Sequence, residues 1–228
     1  MCRIVKRIGA DGLMLLQMKN GFDFEMLYFN ADGREGSMCG NGGRVVAAFA
    51  FREEITGKNM IFDAYDGEHE AFILEADGGS YEVKLTMKDV VVEQFDNAGL
   101  LVNTGSPHYV TRIDNLADYN VVQFGRQIRH DKNISIHGVN TNFMEKIDDQ
   151  IFLRTYERGV EDETLSCGTG VTATAIAASL CFGGESHEIV TPGGKLRVNF
   201  KKAGNSFSEI ELTGPVEFVY SGIFAINL

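Results

Sequence analysis

Polar and apolar residues alternate over residues 81–88, with Tyr81, Val83, Leu85 and Met87 set against Glu82, Lys84, Thr86 and Lys88. This is the two-residue period of a half-buried strand. Leu196, Val198 and Phe200 repeat it against Lys195, Arg197 and Asn199. Shorter strand-like runs fall at 23–29, 60–64, 70–76, 100–103, 109–112, 143–147, 151–156, 188–191, 209–213, 216–220 and 223–227, with turns such as Asp66-Gly67 and Asp77-Gly78-Gly79 between some of them. Two stretches break the pattern. Residues 44–51 and 173–182 are apolar nearly all round, which is the signature of a helix buried on every side. The first is expected to stop near Gly57 and the second at Gly183-Gly184. A shorter helix is expected over 120–129.

The order is therefore strands, one buried helix, strands, twice over. It predicts an α+β fold of two pseudo-symmetric lobes, each a curled mixed or antiparallel sheet around a central helix. Residues 1–91 with 216–228 form the first expected lobe and 92–215 the second, with a cleft between them.

Each buried helix is preceded by the same construction. Residues 30–44 read N-A-D-G-R-E-G-S-M-C-G-N-G-G-R, and Ser166-Cys167-Gly168-Thr169-Gly170-Val171 repeats the cysteine and glycines downstream. Cys39 and Cys167 thus stand on tight loops at helix N-termini. Free amides there attract an anion, and the helix dipole is expected to lower the thiol pKa.

Composition narrows the partner. The 228 residues carry a net charge of -11, which disfavours a phosphate-backbone partner and directs attention to a small molecule. No apolar run is long enough to cross a bilayer and no signal peptide is visible, so a cytoplasmic protein without membrane association is expected. Four cysteines without a C-x-x-C pair fit neither a disulfide framework nor an ordinary zinc site. Free thiols are the default; Cys2 carries no clear role, and Cys181 is read as helix packing.

Two thiols on facing lobes suit inversion at a carbon beside a carboxylate. One removes a proton from one face while the other delivers a proton to the opposite face, with neither cofactor nor metal. Helix amides would hold the carboxylate and the charge that spreads onto it. From the residues alone, His108 after Pro107 reads equally as a turn histidine, and Glu157-Arg158 equally as a surface ion pair. His69, His130, His137 and His187 have weaker claims.

At these residues the chain resembles the diaminopimelate epimerase family over nearly its whole length. Gly9-Ala10-Asp11-Gly12, the 30–44 stretch, Gly105-Ser106-Pro107-His108, Val139-Asn140, Tyr156-Glu157-Arg158-Gly159 and Cys167-Gly168-Thr169-Gly170 occur in the family's order. The resemblance implies Cys39 and Cys167 as the acid/base pair, with His108 and Glu157 beside them setting their protonation. It implies that Gly40, Asn41, Gly168 and Thr169 hold the α-carboxylate and amino group, and that Asn30, Asn140 and Arg158 recognise the distal end. The implied reaction interconverts LL- and meso-2,6-diaminopimelate, Cys39 acting on the LL form and Cys167 on the meso form.

The chain also departs from the family pattern. The expected opening strand and Gly-Leu-Gly-Asn-Asp-Phe-like loop are missing, which predicts an unfilled sheet edge able to pair copies into a homodimer. Ser106 stands where asparagine is usual, Gly12 where some members carry a substrate-contacting glutamine, and Arg34 where serine is usual. These departures leave two alternatives open: a racemase of another amino or imino acid on the same fold, or a shortened, catalytically impaired binding protein.

Overall fold

The structure, a computed structural model, describes residues 9–10, 12–30, 33–36, 38–92, 94–95 and 99–223. Cys2 and the expected strand beyond Ile223 lie outside them. The first half runs β1 (Gly12–Gln17), β2 (Phe24–Asn30), α1 (Gly40–Arg52), β3 (Asn59–Ala64), β4 (Gly67–Asp77) and β5 (Ser80–Met87). Short strands β6 (Val90–Val91) and β7 (Gln94–Phe95) lead to β8 (Leu100–Asn103), β9 (Pro107–Arg112), a 3-10 turn (Leu116–Asp118) and α2 (Val121–His130). Then come β10 (Asn140–Ile147), β11 (Gln150–Glu157), β12 (Asp162–Thr164), α3 (Gly168–Phe182), β13 (Ser186–Thr191), β14 (Gly194–Ala203) and β15 (Ser206–Glu217).

All of these strands belong to one 15-stranded sheet, whose main path runs β1-β2-β3-β4-β5-β15-β14-β13-β11-β10-β9-β8-β7. Its pairing senses repeat. Strands β1 and β2 are antiparallel, β2 and β3 parallel across α1, and β3, β4 and β5 antiparallel. Strands β10 and β11 are antiparallel, β11 and β13 parallel across α3, and β13, β14 and β15 antiparallel. A parallel pair needs a crossover, and in each half the buried helix supplies it. Register shifts at Ile73/Glu75 and Asn199/Lys201 bend β4 and β14 as bulges do. The two series meet where β15 pairs with β5 from Ile210↔Met87 to Glu217↔Ser80.

Strand β15 is longer than the pattern predicts, fusing the runs expected at 209–213 and 216–220 and ending at Glu217. Gly214-Pro215 reads as a break because proline lacks an N–H. Beyond Thr213, however, β15 is paired only with β5, so the proline has one free side and the strand continues. The expected lobe boundary at Val216 therefore falls inside this strand.

Helix α3 is buried from Gly168 to Ser179, and two of its hydroxyls are satisfied by its own turns: Thr172 Oγ1 donates to Gly168 O at 3.1 Å and Thr174 Oγ1 to Gly170 O at 2.8 Å. It ends at Gly183, in the left-handed region at φ 80°. Helix α1 is less enclosed than its composition predicts. Val45 and Phe49 are 42% and 47% exposed on one stripe, and the helix stops at Arg52, before Gly57, with Glu54 at φ 56°. Cys181 is also exposed rather than packed, because the enclosure of α3 ends after Ser179, with Leu180 half-buried and Phe182 exposed. One continuous core joins both series, from Phe24 and Phe62 through Leu85 to Ile176, Ile189 and Leu212. A smaller one of Leu116, Val121, Phe143 and Tyr156 lies near α2. No helix of the described residues is long and apolar enough to cross a membrane.

Candidate active site

Helices α1 and α3 begin in the same way. Their N-caps are the cysteines, Cys39 at φ -119°, ψ 109° and Cys167 at φ -118°, ψ 110°, each extended before its glycine. The helix starts touch through backbone. A Cβ on Gly168 would lie 2.9 Å from Asn41 N and 3.0 Å from Gly40 Cα; one on Gly40 would lie 3.2 Å from Gly168 Cα. Any side chain would force them apart, so the residue after each cysteine is glycine for close approach. Asn41 ties the loops further by donating Nδ2 to Ser166 O at 2.8 Å.

A cavity of about 340 Å³ opens over this junction. Cys39, Gly40, Asn41, Cys167, Gly168, Thr169, Glu157, Asn30, Asn140 and Arg158 all line it. His108 does not. It is fully buried behind Thr169, in a chain of hydrogen bonds whose direction can be read. Thr155 Oγ1 donates to Asn142 Oδ1 at 3.0 Å, so Asn142 turns its amide nitrogen to His108 Nδ1, also at 3.0 Å. That nitrogen accepts, which leaves the ring proton on Nε2 to be donated to Thr169 Oγ1 at 2.9 Å. The Thr169 hydroxyl is then free to point at Cys167 Sγ, 3.5 Å away. Burial, then the charge of Arg158, pull the His108 pKa down to about 3, so the ring is neutral.

The thiols depart from the expected depressed pKa. Burial pushes both up, because loss of water outweighs the helix amides. Glu157 adds negative charge near both sulfurs. Its Oε2 accepts the Thr164 hydroxyl at 2.9 Å. Cys39 Sγ accepts the Gly42 N–H at 3.3 Å, a cap bond that Cys167 does not close.

Asn140 links the other wall. Its Oδ1 accepts the Arg158 N–H at 2.8 Å, while Nδ2 donates to Ser106 Oγ at 2.9 Å, so Ser106 is integrated at the position where asparagine was expected. Asn140 and His108 sit opposite each other in the parallel β9/β10 pair. Burial, then Arg129, lower the Arg158 pKa.

Three lining residues escape the sequence reading. Tyr28 is wedged between glycines: a Cβ on Gly12 would lie 2.4 Å from its ring, and one on Gly36 equally close. The two glycines around a strand tyrosine were the available signal. Arg129 also lines the cavity, with Nε held by Glu161 at 3.1 Å; on α2 it reads as an ordinary surface position. Arg34 lines the cavity too, where it had been noted only as a departure.

The family profile described as diaminopimelate epimerase matches residues 1–96 and 100–219. The diaminopimelate epimerase of Flavobacterium psychrophilum is 45% identical over 216 residues, covering 93% of this chain and 83% of that relative. That of Chlorobaculum tepidum is 39% identical over 239 residues, covering 99% of this chain and 90% of the relative. Among solved structures, a hydroxyproline epimerase from Agrobacterium vitis with bound trans-4-OH-L-proline shares the fold, with a TM-score of 0.69 at 16% identity over 91% of this chain and 74% of that one. With the profile matched along nearly its whole length and relatives at this identity, the chain belongs to the diaminopimelate epimerase family.

Proposed function

We propose that this isomerase interconverts LL- and meso-2,6-diaminopimelate by proton transfer between Cα and two thiols, in the cytoplasm and without a cofactor. The observation that carries the reading is the meeting of two cysteine-capped helix N-termini on one cavity. The substrate α-carboxylate lies against the first amides of α1 and α3, beside Gly40, Asn41, Gly168 and Thr169, where helix dipoles favour an anion. One cysteine thiolate takes the Cα proton; as that C–H bond breaks, its electron pair spreads into the carboxylate, and the helix amides stabilise the added charge. The opposite thiol then protonates Cα from the other face, so the two sulfurs exchange charge states in each turnover.

Asn30, Asn140 and Arg158 hold the distal amino-acid end, Arg158 supplying the cation for its carboxylate. His108 acts at one remove, by keeping the Thr169 hydroxyl aimed at Cys167. The two-lobe division, with Cys39 in one lobe and Cys167 in the other, is part of this proposal; the repeated pairing pattern supports it.

Reduced protein incubated with LL-diaminopimelate in deuterated water is expected to form the meso isomer with deuterium at the inverted Cα. Cys39→Ala and Cys167→Ala are each expected to abolish inversion. Retained inversion in either single variant would sink the two-base reading. Turnover of proline-type substrates without turnover of diaminopimelate would replace the substrate while leaving the chemistry.

A further inference from the structure

Arg44 is in the second turn of α1 and only 5% exposed. Its side chain runs back toward the helix start, Nη1 donating to Gly40 O at 3.2 Å and Nη2 to Asn41 Oδ1 at 3.1 Å. Both partners are neutral, and Nε has no partner among the described residues. This arrangement has three costs: a buried cation, an unmade hydrogen bond, and positive charge at the positive end of a helix dipole. Burial draws the guanidinium down only to about 10, so it stays charged at neutral pH.

Nothing in the helix start requires this cation. Helix α3 has the same N-cap geometry, yet Thr172 stands at the corresponding position and satisfies itself on Gly168 O. The two halves match in backbone and differ in charge.

We propose that Arg44 is the built-in counter-charge for the thiolate of Cys39, so that Cys39 rather than Cys167 is the sulfur that ionises first. The proposal rests on the two-base reading and names which sulfur begins as the base. The Gly42 N–H on Cys39 Sγ favours the same assignment. Of the charged groups around the pair, Glu157 from β11 opposes a thiolate at either sulfur, and a negative Cys39 opposes one at Cys167. Thr169 and Gly170 offset this at Cys167, and none of the largest influences on it is a cation. Arg34, Glu35, Arg129 and Arg158 line the same cavity. His108 is neutral. Glu82 of β5 lends Arg44 negative field and is itself acted on by Glu75 and Arg197.

The test is alkylation of reduced, substrate-free protein with iodoacetamide across pH, each cysteine followed by peptide mass mapping. The midpoint of each profile is read rather than its rate, which cancels the difference in accessibility. Cys39 is expected to have the lower midpoint. Arg44→Gln is expected to raise that midpoint by about one pH unit, cutting labelling at neutral pH about tenfold, with Cys167 unmoved. Arg44→Lys, which keeps the charge, is expected to stay near wild type. A lower midpoint at Cys167, or an unmoved Cys39 midpoint in folded Arg44→Gln, overturns the proposal, as does an equal rise in Arg44→Lys and Arg44→Gln. Should Arg44→Gln fail to fold, the order of the wild-type midpoints decides alone. Alkylation needs no turnover, so failure to invert diaminopimelate would remove the substrate assignment without touching this one.

Discussion

Single atoms set the chemistry of this cavity, and two positions show how little room they leave. A methyl group on Gly168 would press into Asn41 N and the Gly40 backbone. Gly168→Ala is therefore expected to cost about 1–3 kcal/mol of stability by overpacking and to lower turnover sharply, because the sulfurs separate. Denaturant melts and rate measurements on the same sample check both. At His108 the consequence is pH dependence. Unfolded, the imidazole takes a proton near its ordinary pKa of about 6.5; folded, it resists until about 3. Between these values the unfolded chain binds more protons, so this contribution is complete above the upper value and is lost as pH falls through the window. Its slope is at most about 1.4 kcal/mol per pH unit. Unfolding free energies from neutral to acid pH should flatten in His108→Gln relative to wild type; parallel curves would refute the assignment. The cysteines and their glycines were legible because each motif is local. Tyr28 and Asn142 were not, since what they touch arrives from other strands and loops; Arg44 was not, since its bonds are local but its burial is set by the fold.

Elements show the same division. Period-two and all-round apolar patterns located most strands and both central helices, but not β1, β6, β7 or β12, because each pattern reflects how many faces meet the core. The patterns failed where a local signal was overruled by neighbours. Pro215 continues a strand because β5 alone pairs with it there, and the acidic residues before Thr164 form β12 because β11 offers it an edge. Helix α1 looked as buried as α3, but the sequence does not show that the sheet leaves the Val45 and Phe49 stripe uncovered. The shared cap geometry of α1 and α3 has a chemical corollary. With both cysteines capping helices that touch, removing ligand and adding oxidant is expected to join Cys39 to Cys167 and stop inversion until a reductant is supplied. A mass map that keeps both thiols free under oxidant would place the sulfurs too far apart in the resting state.

The molecule as a whole is tied along β5 and β15, a pairing that continues one sheet from the first repeat into the second over one shared core. Heating should therefore give a single calorimetric transition rather than one for each repeat; two resolved peaks would show that the halves melt separately. The topology was foreseen as a duplication, while this shared sheet was not, because hydrophobic period reports a strand's faces and is silent about which strand lies beside it.

The glycine contact between the helix starts would act as a fulcrum if the halves of the proposed two-lobe division moved against each other. When two rigid bodies pivot on a fixed point, displacement grows with distance from it, so atoms beside the contact move least. Cys39 and Cys167 adjoin it directly. Under the proposed two-lobe division, opening for substrate would then swing the outer walls while Cys39 and Cys167 stay aligned.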